Sequence, residues 1–250
     1  DYILVPILNG LGFIIGGILS LWIVHKDFNQ RFQVQPFKIL LMYFKDSSQF
    51  FLSRLSSSGY SNINTFLAGI LLSPVFVTYY YLANKSVSVI ITLFNPVVQT
   101  IYPYLSKKYN YMFLARLVSI LMLISLLVIS LGYLFSDLIS IILLGEINDI
   151  FKILFHVIIL IIPISILYVM LGAPLLLARG YRKEFNLSII YGFVIHLLIV
   201  SILYFYFTIK PDLESDILIL FAISLVFSKF IVLTIRMYYV FKNKLYMNSY

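Results

Sequence analysis

The segment VFVTYYYLANKSVSVIITLFNPVVQ, residues 75–99, contains one charged residue, Lys85, in an otherwise uncharged and largely apolar run. A charged side chain at bilayer depth is costly, so it normally faces a protein interior or a water-filled path. The polar residues around Lys85 recur every three or four positions, which places them on one helical face: Asn84, Ser88, Thr92, Asn95 and Gln99. The segment therefore predicts a membrane-spanning helix that lines a polar cavity, as in a transporter.

The composition of the whole chain predicts an integral membrane protein. Only 11% of its residues are charged, against about a quarter in soluble domains, and the mean hydropathy is +1.01. The apolar runs are continuous and do not alternate, which favours helices over a barrel. The chain has no cysteine, so disulfides and thiol ligands are excluded. We expect an all-α fold.

Seven apolar runs are long enough to cross a bilayer, and they cover residues 3–24, 48–72, 75–102, 114–135, 151–178, 186–209 and 217–241. The second and third are separated only by Ser73 and Pro74, which predicts a tight helical hairpin. Residues 25–47 are expected to form a cytoplasmic linker with a short interfacial helix from Pro36 to Lys45. An extension of the following helix is the alternative. A second short helix is expected on the outer side, within Ser136–Ile150, and residues 242–250 are expected to form a cytoplasmic tail.

Basic residues are concentrated in alternate loops, which predicts the orientation by the positive-inside rule. The basic set is Lys26, Arg31, Lys38, Lys45, Lys107, Lys108, Arg179, Arg182, Lys183, Lys242 and Lys244. The opposite loops contain Lys152 and Lys210 among acids: Asp137, Glu146, Asp149, Asp212, Glu214 and Asp216. We therefore expect the N-terminus of this chain outside the cell and its C-terminus in the cytoplasm. The net charge of +8 is explained in this way without nucleic acid as a partner.

Basic side chains also occur within the predicted spans. Arg54 and Arg236 lie near span ends, from which they could extend to the headgroups, and this is the expected arrangement for Arg236. Lys85 and Lys229 lie near mid-span, and no Asp or Glu falls in any of the seven spans. Their counter-charge must come from a bound anion, a partner segment or water, and we favour an anionic substrate. His196, the only titratable alternative for ion coupling, is expected to be a packing residue.

The 48–72 span carries its own polar stripe beside Arg54: Ser53, Ser57, Tyr60, Ser61 and Asn64. Serines in membrane helices serve equally well in helix packing, so their role is left open. The amides Asn64, Asn84, Asn95 and Gln99 need several partners each and are predicted to line the cavity. Motifs of soluble enzymes are absent, including phosphate-binding glycine loops, HExxH and GxSxG. We therefore predict no enzyme activity, cofactor or metal.

Two stretches resemble the polysaccharide biosynthesis protein family, the O-antigen-type flippases of the MATE/MOP exporter superfamily. The first begins with Phe50-Phe51-Leu52-Ser53 and continues with Tyr60, Asn62, Asn64-Thr65-Phe66, Gly69, Tyr79-Tyr80, Ala83-Asn84-Lys85, Pro96, Gln99, Pro103 and Ser106. The second is LLLARGYRKEF, Leu175–Phe185. The resemblance implies the sixth helix (residues 1–24) and the C-terminal six-helix lobe (48–241) of a twelve-helix transporter. Because the chain begins with Asp1 and not with Met, we expect it to begin inside a longer sequence, and the resemblance implies that five further helices precede it.

The resemblance also implies a function. It is the export of an undecaprenyl-pyrophosphate-linked oligosaccharide to the outer leaflet of the bacterial inner membrane, for O-antigen or capsule synthesis. Arg54 and Lys85 are the implied electrostatic partners of the headgroup, and Asn64, Asn95 and Gln99 the cavity wall. Asn84, Ser88 and Lys229 complete the predicted substrate-binding set. The expected partners are this lipid-linked substrate, membrane lipids, the missing N-terminal lobe and the polysaccharide polymerase machinery.

Three alternatives stay open on sequence grounds. A MATE-type drug exporter would share the fold and differ in substrate. A membrane glycosyltransferase or polymerase would act on the same polyprenyl substrates, although the longest outer loop, about 15 residues, is short for such chemistry. A retinal protein would use Lys229 midway along the seventh helix, but it would lack a carboxylate counter-ion.

Overall fold

The computed structural model describes residues 4–28, 36–209 and 214–246. Every regular element within these ranges is a helix. Arg31, Lys210 and Asp212, which enter the charge argument above, lie outside the described residues, as do residues 247–250 of the predicted tail. The prediction of an all-α membrane protein is confirmed.

The helices are α1 (Leu4–Phe28), α2 (Phe37–Leu71), α3 (Pro74–Thr92), α4 (Asn95–Lys107), α5 (Tyr111–Leu134), α6 (Ser136–Leu144), α7 (Asp149–Ile159), α8 (Ile161–Met170), a π-helical segment (Leu171–Leu177), α9 (Arg182–Ile209) and α10 (Glu214–Lys242). Six helical stretches in the described residues are long and apolar enough to cross a membrane: Ile7–Asp27, Pro74–Lys107, Tyr111–Leu134, Asp149–Leu177, Arg182–Phe207 and Glu214–Lys242. The remaining predicted span, residues 48–72, corresponds to the second half of α2. Its serines lower the hydropathy there, and only Asn62–Leu71 is a short apolar helix by the same measure.

The chain forms two compact units, residues 1–46 and 47–250. The prediction of a separate short helix from Pro36 to Lys45 is wrong, because α2 runs without a break from Phe37 to Leu71. The reason lies in the sequence, which has neither glycine nor proline between Phe37 and Ser58 to end a helix. The alternative, an extension of the following helix, describes the structure.

Only Leu72 and Ser73 separate α2 from α3, so the predicted short turn is present, and the packing of the two helices as a hairpin stays a prediction. Ser73 is the residue before α3, and Pro74 opens that helix, where a missing N–H costs nothing. The Ser73 hydroxyl donates to the Glu214 carboxylate at 2.9 Å and so ties this turn to the start of α10. The predicted short helix within Ser136–Ile150 is present as α6, and its position on the outer side stays a prediction.

Prolines divide two of the long spans. The helix beginning at Pro74 breaks at Leu93 and Phe94, just before Pro96, and continues as α4. The span from Asp149 to Leu177 has a break at Leu160, three residues before Pro163, and then widens into the π-helical segment that contains Pro174. Proline has no N–H to donate, so each one frees a carbonyl of the preceding turn and permits such irregularity.

Helix α10 lies at the centre of the second unit. It packs against α3, α7, α8, α9 and the π-helical segment. Half of the apolar stretch of α10 is buried, and so is half of the span that contains α7 and α8. In the spans formed by α3 to α5, about a fifth or less of the apolar stretch is buried. Large apolar side chains without exposure fill this core, including Phe151, Leu154, Ile158, Ile162 and Phe221. This arrangement places the polar residues of α10 against α2, α8 and α9.

Candidate substrate-binding cavities

A cavity of about 600 Å³ lies among α2, α8, the π-helical segment, α9 and α10. Two arginines line it, Arg54 from α2 and Arg236 from α10. Ser53 and Ser57 contribute from the same helix as Arg54, and aromatic rings of Phe50, Phe51, Tyr168 and Phe185 form much of the remaining wall. The cavity is therefore largely apolar in surface, with positive charge from two sides.

Arg236 does not extend to the headgroups, so that expectation is wrong. Its side chain is only 2% exposed. The guanidinium Nε donates to the Ser188 hydroxyl at 3.0 Å, and Nη1 donates to the Tyr168 carbonyl. Its central carbon lies 4.8 Å from the ring centroid of Phe185 and 5.2 Å from that of Tyr168. These contacts hold the guanidinium inside the bundle, at the wall of the cavity.

The π-helical segment explains how an arginine fits at this position. A methyl group on Gly172 would come within 3.0 Å of the Arg236 guanidinium carbon and within 3.0 Å of the Phe185 ring, so only glycine leaves room. The wide turn that begins at Leu171 also contains Pro174. Single π-helical turns inside α-helices occur frequently at functional sites. Here the irregular turn contains Gly172, the residue that leaves space for the buried Arg236 guanidinium.

The cations of this region have no described acidic partner. Two ion pairs of the described residues join Lys152 to Asp137 at 2.8 Å and to Asp149 at 2.9 Å. Arg236 and Arg54 take part in neither. Because an unpaired cation in a low-dielectric region attracts anions strongly, the cavity is suited to an anionic group.

A second cavity, of about 200 Å³, lies among α3, α8 and α10. Asn84 and Ser88, both predicted site residues, line it together with Lys229, and Thr92 and Ser165 add hydroxyl groups. The Lys229 ammonium lies 5.0 Å from the ring centroid of Tyr60 and 5.1 Å from that of Tyr168. Cation–π attraction of this kind stabilises a charge away from water. Tyr168 lines both cavities, so the two are neighbours.

The other predicted site residues lie elsewhere. Lys85 and Gln99 are exposed on their helices, and Asn95 lines a void of only about 20 Å³. Asn64 is fully buried, and its amide donates to the Phe221 carbonyl at 3.1 Å, which links α2 to α10. The structure thus brings Arg54 to the first cavity and Asn84, Ser88 and Lys229 to the second. Roles in substrate binding stay predictions for all eight residues.

His196 occupies the packing position expected for it. Its side chain is fully buried, its Nδ1 lies 2.6 Å from the Ser228 hydroxyl, and its ring stacks on Tyr60 with centroids 5.2 Å apart. Ser228 itself donates to the Ser224 carbonyl at 2.6 Å, so the histidine nitrogen acts as the donor to Ser228 in this arrangement. These contacts join α2, α9 and α10.

Arg236 and Tyr168 line the first cavity without having been predicted there from the sequence. A signal for Arg236 was present, because it follows Lys229 by two helical turns and so shares the inward face of α10. Tyr168 carried no comparable signal, since a single tyrosine in an apolar helix is equally compatible with packing or with an interfacial position. Its place between two cavities depends on how α8 packs against α2, α3 and α10.

Comparisons with known proteins bear on one part of the chain. Residues 1–109 match a family model described as polysaccharide biosynthesis protein. Searches of curated proteins and of solved structures gave no match. The matched region contains Arg54, Asn84 and Ser88, whereas Lys229 and Arg236 lie outside it. The predicted resemblance to the polysaccharide biosynthesis protein family is therefore confirmed, on a match over residues 1–109.

Proposed function

We propose that this chain forms part of a carrier that moves a polyprenyl-pyrophosphate-linked oligosaccharide across the bacterial inner membrane for O-antigen or capsule synthesis. One observation carries the proposal: Arg54 and Arg236 line the same cavity of about 600 Å³, and no described carboxylate pairs with either. The confirmed resemblance supports the glycan pathway. Both arginines are available to one anionic headgroup.

The chemistry of the two cavities suits the two parts of such a substrate. A guanidinium group binds phosphate oxygens through two parallel N–H donors, and two arginines match the several oxygens of a pyrophosphate. The second cavity offers the amide of Asn84 and the hydroxyls of Ser88 and Thr92, which are donors and acceptors for sugar hydroxyls. Since Tyr168 lines both, one molecule could contact both cavities, with its phosphates near the arginines.

The proposed mechanism is alternating access, with no chemical step. The irregular turns at Leu93–Phe94 and Leu171–Leu177 are sites at which helices can bend between two arrangements. Lys85 is exposed on α3. At a rise of about 1.5 Å per residue, it lies about 17 Å along the helix axis from Pro74. A charge at that depth cannot face lipid cheaply, so we propose that a partner lobe or a water-filled path covers this face.

The proposal also includes the cellular location, the orientation and the partners of the chain. We propose that the chain lies in the cell membrane with its N-terminus outside and its C-terminus in the cytoplasm, as the basic loops indicate. Its proposed partners are membrane lipids, an N-terminal lobe of the same protein and the polymerase that receives the exported glycan.

We propose a carrier and not an enzyme, because the cavity residues supply binding groups and no nucleophile–base pair. A small cationic drug, as a MATE-type exporter would carry, would be repelled by two arginines.

The test is a translocation assay on the full-length protein in liposomes loaded with a fluorescent polyprenyl-pyrophosphate-linked oligosaccharide. Arrival in the far leaflet is measured by cleavage with a glycosidase that cannot enter. We expect transport by the wild-type protein, strong loss in Arg54→Gln and Arg236→Gln, and normal transport in Arg116→Gln. Arg116 is an exposed arginine on α5, so Arg116→Gln removes the same charge as each of the other two substitutions. No transport by the wild type, or equal transport by all variants, would contradict the proposal.

A further inference from the structure

A third cavity, of about 390 Å³, lies at one end of the bundle, apart from the two described above. Leu105, Ser106, Lys107, Tyr109, Arg179 and Tyr181 form most of its wall, and it shares no lining residue with the first two cavities. Two membrane-length stretches, Pro74–Lys107 and Asp149–Leu177, end at this cavity. Because both stretches end here, we expect the cavity to lie near one membrane surface, where the lipid headgroups are.

The guanidinium group of this cavity is held by an aromatic ring. The guanidinium carbon of Arg179 lies 4.1 Å from the ring centroid of Tyr109. The Tyr109 hydroxyl donates to the Leu245 carbonyl, which fixes the ring against the turn after α10. Burial raises the pKa of Tyr109 to about 12, so the hydroxyl keeps its proton and remains a donor at neutral pH. An arginine stacked on a fixed ring keeps one orientation for its N–H donors.

The turn between the π-helical segment and α9 also holds this arrangement. Gly180 has φ +85°, in the left-handed region that favours glycine. The chain can therefore turn sharply there, and the Tyr181 N–H donates back to the Leu176 carbonyl at 2.8 Å. This closes the end of the π-helical span and brings Arg179 and Tyr181 to the same cavity as Lys107 from α4.

The cavity wall combines two cations with polar groups. Lys107 and Arg179 both line it, no carboxylate does, and Ser106, Tyr109 and Tyr181 add hydroxyls. A guanidinium beside an ammonium is the donor set that binds phosphate in proteins. Basic pockets between helices at the membrane surface bind the headgroups of anionic lipids.

We propose that the cavity formed by Lys107, Tyr109, Arg179 and Tyr181 is a phosphate-binding site, whose phosphate belongs to an anionic phospholipid headgroup or is free in solution. Arg179 contacts the phosphate through paired N–H donors, and Lys107 neutralises it from α4. The bound group joins α4 to the turn before α9. It therefore stabilises the end of the π-helical span, separately from any substrate.

The experiment uses the delipidated full-length protein in detergent, with lipid retention measured by native mass spectrometry. The probes are dioleoyl phosphatidylglycerol and dioleoylglycerol, which share acyl chains and differ by the phosphate headgroup. We expect the wild type to retain phosphatidylglycerol, and the double variant Arg179→Gln/Lys107→Gln to bind it about tenfold or more weakly, the size of one or two charge-assisted contacts. The matched control is Lys108→Gln/Lys183→Gln, which removes the same charge at positions outside the cavity lining.

Inorganic phosphate provides the second arm. If phosphate alone displaces the lipid and raises the melting temperature of the wild type but not of the double variant, the ligand is free phosphate. If the phospholipid raises the melting temperature of the wild type and phosphate alone does not, the ligand is a headgroup. Equal retention of both lipids by the wild type, or equal binding by the double variant and the control, would overturn the proposal. Lys107→Gln, at the exposed last residue of α4, gives the same comparison if the double variant fails to fold.

Discussion

Replacing Arg54 by glutamine is expected to weaken the binding of a polyprenyl pyrophosphate by about 10- to 100-fold. The side chain is exposed and lines the same cavity as Arg236, so its loss removes one of two guanidinium groups from the site. A hydrogen bond to a charged group contributes about 1.5–3 kcal/mol, and each 1.4 kcal/mol, roughly, changes affinity tenfold. Substitution of an exposed residue usually changes folding stability by about 0.5 kcal/mol or less, so the effect on binding is separable from stability.

The assay is isothermal titration of the purified full-length protein with a short-chain polyprenyl pyrophosphate, at fixed ionic strength because screening weakens such contacts. The corresponding monophosphate is titrated in parallel. Arg116→Gln is the matched control: Arg116 is also exposed, and its described contact is with the Met112 sulfur at 3.7 Å. Its affinity is expected to equal that of the wild type.

A double-mutant cycle then asks whether both arginines bind one headgroup. Arg236→Gln alone is expected to weaken binding at least as much as Arg54→Gln, because Arg236 is buried and fixed by Ser188 and Tyr168. If one pyrophosphate bridges the two guanidinium groups, the two losses are not additive. Affinity within about twofold of the wild type in Arg54→Gln, equivalent to roughly 0.4 kcal/mol, would refute the reasoning.

Two further predictions concern other parts of the second unit. Lys85→Ala is expected to abolish display of the surface glycan in cells while membrane insertion stays normal, because Lys85 is a charge that only a polar path tolerates; normal glycan levels would show that transport does not depend on Lys85. Gly192→Ala is expected to lower stability by about 1–3 kcal/mol through overpacking, because its methyl group would overlap the Tyr60 hydroxyl and a methyl of Val232, both buried. Gly69→Ala is the control, since nothing lies within 4 Å of its methyl position, and it is expected to be neutral or to stabilise by up to about 1 kcal/mol. Thermal unfolding in detergent measures both, and an equal shift in the two variants would contradict the packing at Gly192.

The helical architecture followed from the sequence because lipid leaves few choices. A run such as 217–241 must form a helix to satisfy its backbone, and α10 runs from Glu214 to Lys242. The linker was harder to predict. The amphipathic pattern of Phe37, Leu40, Leu41 and Phe44 fits an interfacial helix, but nothing between there and Ser58 ends the helix. Amphipathicity describes a surface and does not set a boundary.

The candidate site was predictable only in part. Lys229, Asn84 and Ser88 were identified because polar residues in apolar helices are rare enough to be informative, and the structure brings all three to one cavity. Arg236 was misjudged because its distance from the helix end permits extension to the headgroups. That distance says nothing about Gly172, on another helix, which leaves space for its guanidinium. Contacts between helices distant in sequence decide such cases.

The most direct test of the central claim is a structure of the full-length protein with a polyprenyl-pyrophosphate-linked oligosaccharide bound. The account predicts density for the pyrophosphate within hydrogen-bonding distance of the guanidinium groups of Arg54 and Arg236, with sugar density reaching towards Asn84 and Ser88. A headgroup bound elsewhere, with these two arginines free of ligand, would contradict it.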